Sequence, residues 1–442
     1  MWPERAYGRF ATTPCGHRPA MKRPLVLVAA VGATLAAALP NAGPAGAAGF
    51  GTPVVITSLD ASEPNIDVAP DGTLYVNAPP GILSSLPTSP SVVWRSSDAG
   101  ATWVQTPFSL RAAAPGGGDS DISVAPDGTL SWTDLWLGSS TVAKSTDKAQ
   151  SWLANPLEGT PAQDRQWVAG VGEQRVYHVT HQIPAGIVVS KSVDGGLTYP
   201  LRTVAATPLD QTGCVCPNGN LIAENGGLTG DKVGLIYYTS TGMVKFARST
   251  NGGTTFSSTV VKPAAAGVDT GAAFPIVAHA GGGKLVAVWQ EIVAGSKNTA
   301  GTSRIGFNVS NDWGATWGTP RLVVSSGTST FPWVDARGGK VAVSVFWTNA
   351  AGTPDTVPAN AQWYESYLES GDGGATFGPL TTADPTPVKT GPICTDGTQC
   401  AADRELGDFQ SVVIDALGRA NLTYARSVNG SDDTEIRFVR QL

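Results

Sequence analysis

The sequence predicts an all-β chain folded as a seven-bladed β-propeller of four-stranded antiparallel blades, with six blades as the alternative count. Three observations carry this expectation: a short motif recurs six times, a hairpin pattern recurs seven times, and the two chain ends supply strands that complete one another. Repeats at such a spacing mark an array or a propeller, and four strands per unit around an axis is the propeller plan.

The motif is S-x-D-x-G-x-T-aromatic, at residues 96–103, 145–152, 192–199, 249–256, 310–317 and 370–377, with successive starts 49, 47, 57, 61 and 60 residues apart. Copy two has Ala149 at the Gly position and Ser151 at the Thr position, and copy four has Asn251 for Asp. The pattern reads as a turn between strands. Its Asp accepts hydrogen bonds from turn N–H groups, which Asn imitates. Its Gly takes a positive φ, and the closing aromatic fills the gap between neighbouring sheets. Six aspartates repeating with the fold cannot all serve one site, so they read as structural.

Ahead of each motif lies a hairpin. Residues 66–76 (IDVAPDGTLYV) and 122–130 (ISVAPDGTL) are two strands joined by an Asp-Gly turn. Looser versions occupy 167–179, 221–237, 276–289, 334–347 and 412–424. The seventh unit, 408–442, has three strands and no Asp turn. Residues 51–57 (GTPVVIT) resemble a fourth strand such as 318–324 (GTPRLVV). The N-terminal strand therefore completes the last blade against residues 435–440 and removes a free sheet edge. Residues 49–442 read as one domain.

Composition agrees. The 442 residues include 53 Gly and 32 Pro, with only 14% charged residues, which suits short strands and tight turns. Residues 21–48 read as a secretory signal: Lys22 and Arg23, an apolar run over 25–39, and Ala45-Gly46-Ala47 as a cleavage site. The apolar run is too short to favour a membrane span, so the expected location is extracellular. Met21 offers a second start position. Removing residues 1–48 takes away five basic residues and one acidic one, leaving 24 and 34, a net charge of −10. Nucleic-acid binding rests on basic patches, so that class is excluded. Four Cys remain, Cys214, Cys216, Cys394 and Cys400. An even number in an exported chain suggests two disulfides. Cys394–Cys400 closes a short loop and is favoured, Cys214–Cys216 would be strained, and cross-blade pairing stays open. His178, His181 and His279 show no zinc spacing with these Cys residues. No metal or cofactor is expected, and a monomer is.

The S-x-D-x-G-x-T-aromatic repeats resemble the Asp boxes of the sialidase (neuraminidase) superfamily, over the whole mature chain. The resemblance is specific for fold and much less so for activity, because Asp boxes also occur in other secreted propellers. It implies that the Asp turns lie on the face away from the substrate. The loops into strand one, and those between strands two and three, then carry the active face. It further implies an exo-sialidase chemistry: three arginines hold the substrate carboxylate, a Tyr nucleophile is assisted by a Glu, and an Asp is the acid/base. Guanidinium forks bind carboxylates bidentately, and a free phenol needs a neighbouring base. The sequence departs from the family where Arg-Ile-Pro is expected. Glu63-Pro64-Asn65-Ile66 stands there, and Phe274-Pro275 and Phe331-Pro332 echo it without the Arg.

Candidates therefore come from position on the presumed active face. Asp119 and Asp121 precede blade two, Asp164-Arg165 blade three, and Arg404-Glu405 and Asp408 blade seven; Arg304 begins strand three of blade five. Arg165, Arg304 and Arg404 are the candidate triad, with Asp164 and Asp408 as further substrate-binding residues. Tyr364 and Glu365 are the candidate nucleophile and base, and Asp121 the acid/base. Tyr364 and Glu365 can cooperate only in a loop or bulge, since adjacent strand residues face opposite ways. The acidic and Arg residues have an alternative reading as rim salt bridges between blades, and Tyr364 one as simple packing. Arg111 and Arg426 are additional arginines on that face, and His181 reads as a surface hydrogen-bonding residue. The insertion at 348–362 reads as a lid or binding loop. Trp132, Trp136, Trp289, Trp347 and Trp363 are candidate sugar platforms. A glycan or glycoconjugate is the expected partner. A sialidase-like hydrolase is the leading function, with a non-catalytic glycan- or protein-binding propeller and a structural scaffold as alternatives.

Overall fold

Each repeat forms an antiparallel meander, because its apolar runs are short and every junction carries a residue suited to a turn. The computed structural model describes residues 49–442 except 80–90, 108–117, 137–138, 156–162, 183, 212–217, 228–229, 296–300, 429 and 431–432. It contains seven sheets. Blade one is Asn65–Val68, Leu74–Ala78, Val92–Ser96 and Val104–Gln105. The innermost strands of the next six blades are Ser120–Val124, Gln163–Gly170, Asn218–Glu224, Ile276–Gly281, Thr328–Arg337 and Ser411–Ile414. They touch one another in order around the ring, and the last returns to the first. Two blades gain a short fifth strand. Val268–Asp269 pairs beside Ile292 and Val293, and Lys389–Thr390 beside Gln362 and Trp363.

Blade seven joins the chain ends. Its order is Val54–Thr57, Thr434–Arg440, Ala420–Ser427, Ser411–Ile414, with Val54 opposite Phe438 and Val55 opposite Arg437. Outside the ladder, Gly51 N–H donates to Arg440 C=O at 2.9 Å and Leu442 N–H to Gly49 C=O at 3.0 Å.

The Asp turns hold as their residue types require. In blade one the Asp98 carboxylate accepts the Ser96 hydroxyl (2.8 Å), the Thr102 N–H (2.9 Å) and the Thr102 hydroxyl. Ser96 Oγ in turn accepts the Gly100 N–H at 2.9 Å. Asn251 reproduces this with its two amide atoms: Oδ1 accepts the Thr255 N–H (3.0 Å) and Nδ2 donates to Thr255 Oγ1 (2.9 Å). Ala149 in the worn copy adopts φ +61°, the left-handed region its glycine counterparts occupy. Three of the closing aromatics meet rings of the preceding blade: Trp103 lies 5.2 Å from Phe438, Trp317 5.7 Å from Phe246 and Phe377 5.0 Å from Phe307.

Adjacent blades are also stapled through their innermost strands. Side-chain oxygens of Asp67, Asp121, Asn220 and Asp335 accept the backbone N–H of Val124, Val168, Val277 and Ile414, each in the next blade, at 2.6–2.8 Å. The favoured disulfide is present, Cys394–Cys400, with Cα atoms 6.0 Å apart. Cys214 and Cys216, Arg111 and the leader lie outside the described residues. No helix among the described residues is long and apolar enough to cross a membrane.

Candidate functional site

At one end of the axis the loops into blades one, two, three and seven bring five charged side chains together. Glu63 and Arg165 sit at corners where the backbone turns left-handed, with φ +50° and +41°. Glu63 precedes Pro64, and Arg165 is a bulge residue that slips the register between Asp164 and Gln166. Such conformations are costly for side-chain-bearing residues and cluster where geometry is functionally constrained. Phe331, before Pro332 in blade six, repeats the corner at φ +51°. The Asp164 carboxylate secures the bulge by accepting the Arg165 N–H at 2.9 Å.

Arg165 Nη1 lies 3.5 Å from both Glu63 Oε2 and Asp119 Oδ1, so those two carboxylate oxygens are no more than 7.0 Å apart. Arg404 Nη2 reaches Asp408 Oδ2 at 2.8 Å and Glu63 Oε1 at 3.8 Å. Glu63 Oε1 also accepts the Asp408 N–H at 3.1 Å. Beneath the charges lies an aromatic floor from blades three, five, six and seven. The Arg165 guanidinium stacks 3.8 Å over Trp167 and 4.5 Å from Phe409. Trp333 stacks on Phe409 at 5.5 Å, and Phe274 meets Trp167 edge-on at 5.9 Å.

Exposure divides the cluster in two. The side chains of Asp408, Asp119 and Arg404 are 21%, 19% and 11% exposed, whereas Arg165 and Glu63 are at 2% and 1%. The first three meet solvent; the other two support them. Burial pushes the Glu63 carboxyl well above the usual carboxylate range; Asp408 and Asp119 push the same way, and Arg165 and Arg404 pull back. Burial also raises Asp119, against the pull of Arg165 and with a push from Asp164 and Asp408. Burial works against the Arg404 charge, but Asp408 and Glu63 outweigh it and hold the guanidinium firmly protonated. Tyr238, in blade four, is raised by burial and then by Asp269 and Asp408.

Of the residues expected from sequence, Arg165, Arg404, Asp164 and Asp408 gather here. Arg304 does not: its Nε and Nη2 both hold Glu291 Oε2, at 2.9 and 2.8 Å. Asp121 is buried between blades, where it accepts the Asn65 side-chain amide and the Val168 N–H. Burial raises its carboxyl to about 7. Tyr364 and Glu365 fall in the regular strand Gln362–Ser370, opposite Trp347 and Phe346, and so face opposite ways. The Tyr364 hydroxyl donates to Gln362 Oε1 at 3.0 Å. Glu365 is fully buried, and burial followed by Asp384 pushes its carboxyl well up. Arg426 donates to the Pro387 carbonyl and pairs with Glu435, both at 3.1 Å. His181 is buried rather than on the surface. Trp132, Trp289 and Trp363 are fully buried and cannot serve as platforms. Trp347 donates its indole N–H to Ser326 C=O at 2.7 Å. The sequence pointed to Glu63 only as the residue standing where Arg-Ile-Pro is expected; its signal was the X-Pro pair that it shares with Phe331-Pro332, both left-handed before the proline. Among the described residues no group of three or more His, Cys, Asp or Glu is arranged to hold a metal ion.

These features define a seven-bladed propeller with an axial carboxylate–arginine cluster over an aromatic floor. Among solved structures the chain is similar to an α-L-arabinofuranosidase from Fusarium graminearum in complex with an iminosugar inhibitor, at 12% identity and TM-score 0.50, over 88% of this chain and 97% of that one. It is also similar to an α-L-arabinanase from Penicillium chrysogenum with arabinobiose (12% identity, TM-score 0.48, 89% and 98% covered) and to the NanB sialidase from Streptococcus pneumoniae (10%, 0.45, 91% and 71%). At these identities the likeness speaks to fold alone. No protein-family model and no curated protein matches the chain.

Proposed function

We propose that this protein is an exported glycoside hydrolase whose reaction centre is the axial cluster. The observation that carries the reading is the pair of solvent-facing carboxylates, Asp119 and Asp408, each bound to a guanidinium above an aromatic floor. Glycosidases generally need one protonated and one ionised carboxyl group. Asp119, raised by burial, suits the general acid that protonates the glycosidic oxygen. Asp408, held by Arg404, suits the carboxylate that attacks the anomeric carbon or activates water there. Glu63 and Arg165 fix both from below, and the buried rings of Trp167 and Phe409 hold the Arg165 guanidinium in place.

A neutral sugar suits this centre better than a sialoside. The sialidase form needs Arg165, Arg304 and Arg404 to share one substrate carboxylate. Arg165 and Arg404 are already engaged by acids, and Arg304 is committed to Glu291. The test is hydrolysis of a panel of fluorogenic glycosides, including arabinofuranosides and sialosides, by the purified exported protein and by Asp119→Asn and Asp408→Asn. Turnover by the wild type should fall about 10²–10⁴-fold in each variant. Turnover unchanged in both would refute the assignment. Binding of glycans without turnover of any would establish the binding-module alternative.

A further inference from the structure

The connection from blade six to blade seven carries Arg404 and Asp408, and one buried lysine holds both residues that flank Arg404. We propose that Lys389 is the positioning residue that aims Arg404 and Asp408 at the axis. The inference rests on the axial cluster being the functional site.

Lys389 lies in the short strand beside Trp363, flanked by hydrogen bonds from Val388 N–H to Trp363 C=O and from Gly391 N–H to Ala361 C=O, both 2.8 Å. Its backbone is therefore fixed to blade six. Its side chain is buried, and its ammonium meets Asp403 Oδ1 at 3.1 Å and, closer still, Glu405 Oε1. Those acceptors flank Arg404 in sequence. Both turn back to Lys389, so the residue between them is turned the other way, toward Asp408 and Glu63. The Gly407 N–H to Arg404 C=O bond (2.9 Å) and the Asp408 N–H to Glu63 bond then set Asp408. The far end of the arm is tied down independently. Cys394, in the disulfide with Cys400, donates its N–H to Asp403 C=O at 2.8 Å, and Thr395 bonds Asp355 through its N–H (3.0 Å) and hydroxyl (2.9 Å). Asp355 lies in the blade-six insertion, which thus buttresses the arm. Removing one partner of a buried ion pair leaves the other charge uncompensated, so loss of the ammonium should release the 403–409 turn rather than merely weaken it.

The experiment is amide hydrogen exchange of the full exported protein, wild type against Lys389→Met, Lys389→Arg and Glu405→Gln, with kcat and KM measured on any glycoside the wild type hydrolyses. In Lys389→Met the amides of residues 403–409 should exchange at least about tenfold faster, the equivalent of one lost charge-assisted hydrogen bond. Blades one and two should be unchanged. Lys389→Arg should restore protection, and Glu405→Gln, the less disruptive change, should show the same local loss if Lys389→Met does not fold. kcat should fall by at least about tenfold with KM nearly constant, as loss of aim rather than of binding requires. Unchanged exchange at 403–409 in the variants overturns the proposal. Because exchange needs no substrate, a protein that hydrolyses nothing refutes the hydrolase reading while the positioning role is still decided.

Discussion

Gly72 and Gly100 share one backbone conformation and differ in what surrounds them. Their φ values are +86° and +87°. A Cβ built on Gly72 meets nothing within 4 Å, whereas one on Gly100 lies 1.9 Å from Phe438 Cε1. Phe438 belongs to the strand that the N-terminal strand closes. Alanine at either site incurs the left-handed penalty of about 1–2 kcal/mol. At Gly100 it also forces the ring away, and overpacking of a tight core costs about 1–3 kcal/mol more. Gly72→Ala should therefore destabilise by about 1–2 kcal/mol and Gly100→Ala by about 2–5 kcal/mol. Urea unfolding reads the difference as a shift in midpoint at constant slope. Phe438→Leu in the Gly100→Ala background should recover part of the loss, a coupling absent with Gly72→Ala. Equal costs at the two glycines would refute the reasoning and leave backbone conformation as the whole explanation.

Asp98→Ala should lower the thermal midpoint, because three hydrogen bonds end on that carboxylate, while glycan affinity stays constant; lost affinity at unchanged stability would reverse the structural reading of the turns. Deleting residues 49–57 should expose the edge at 434–440, lower the midpoint sharply and promote association, read by light scattering; an unchanged midpoint would count against closure. Stability should peak near pH 4–5. Burial raises Asp67 and Asp121 to about 7 and Asp335 to about 6, so in the folded state they bind protons the unfolded chain has released, and stability falls as pH rises from about 4 to 7. Asp98, Asp147 and Asp312, lowered to about 2 chiefly by hydrogen bonds from Thr102, Ser151 and Thr316, contribute stability above about pH 4 that is lost as pH falls toward 2. Asp67→Asn should flatten the upper limb, and a midpoint rising steadily from pH 4 to 7 would contradict this account.

What the sequence made legible was local or counted. A turn such as 96–103 is built by residues within eight positions of one another, so its pattern survives in one dimension. The closing strand was legible because seven hairpins and six Asp turns leave one strand missing. The functional cluster is neither local nor repeated. Glu63 becomes informative only when Arg165, Arg404 and Asp408, from blades three and seven, reach it across the axis. Arg304 begins a strand where expected, but Glu291, opposite it on the neighbouring strand, captures it. Asp121 stands two residues from Asp119, yet one staples blade to blade and the other faces the mouth. Tyr364 and Glu365 were separated by nothing more than strand alternation.

The pairing of Val54 with Phe438 also sets a timetable for the protein's assembly. A chain made from its N-terminus displays one strand of blade seven first and the other three last. Six blades can form as each sheet emerges, since their strands are neighbours in sequence. The ring cannot shut until almost the whole chain is available. Throughout that interval the Thr434–Arg440 partner is missing, and residues 54–57 have unpaired backbone groups open to any strand that arrives, including one from another molecule. Loop-closure entropy rises only slowly with length, so the wait is set less by the distance the ends must cross than by when the second end exists. The same seam that pairs the Thr434–Arg440 strand in the folded ring is therefore the place where two nascent copies would exchange strands.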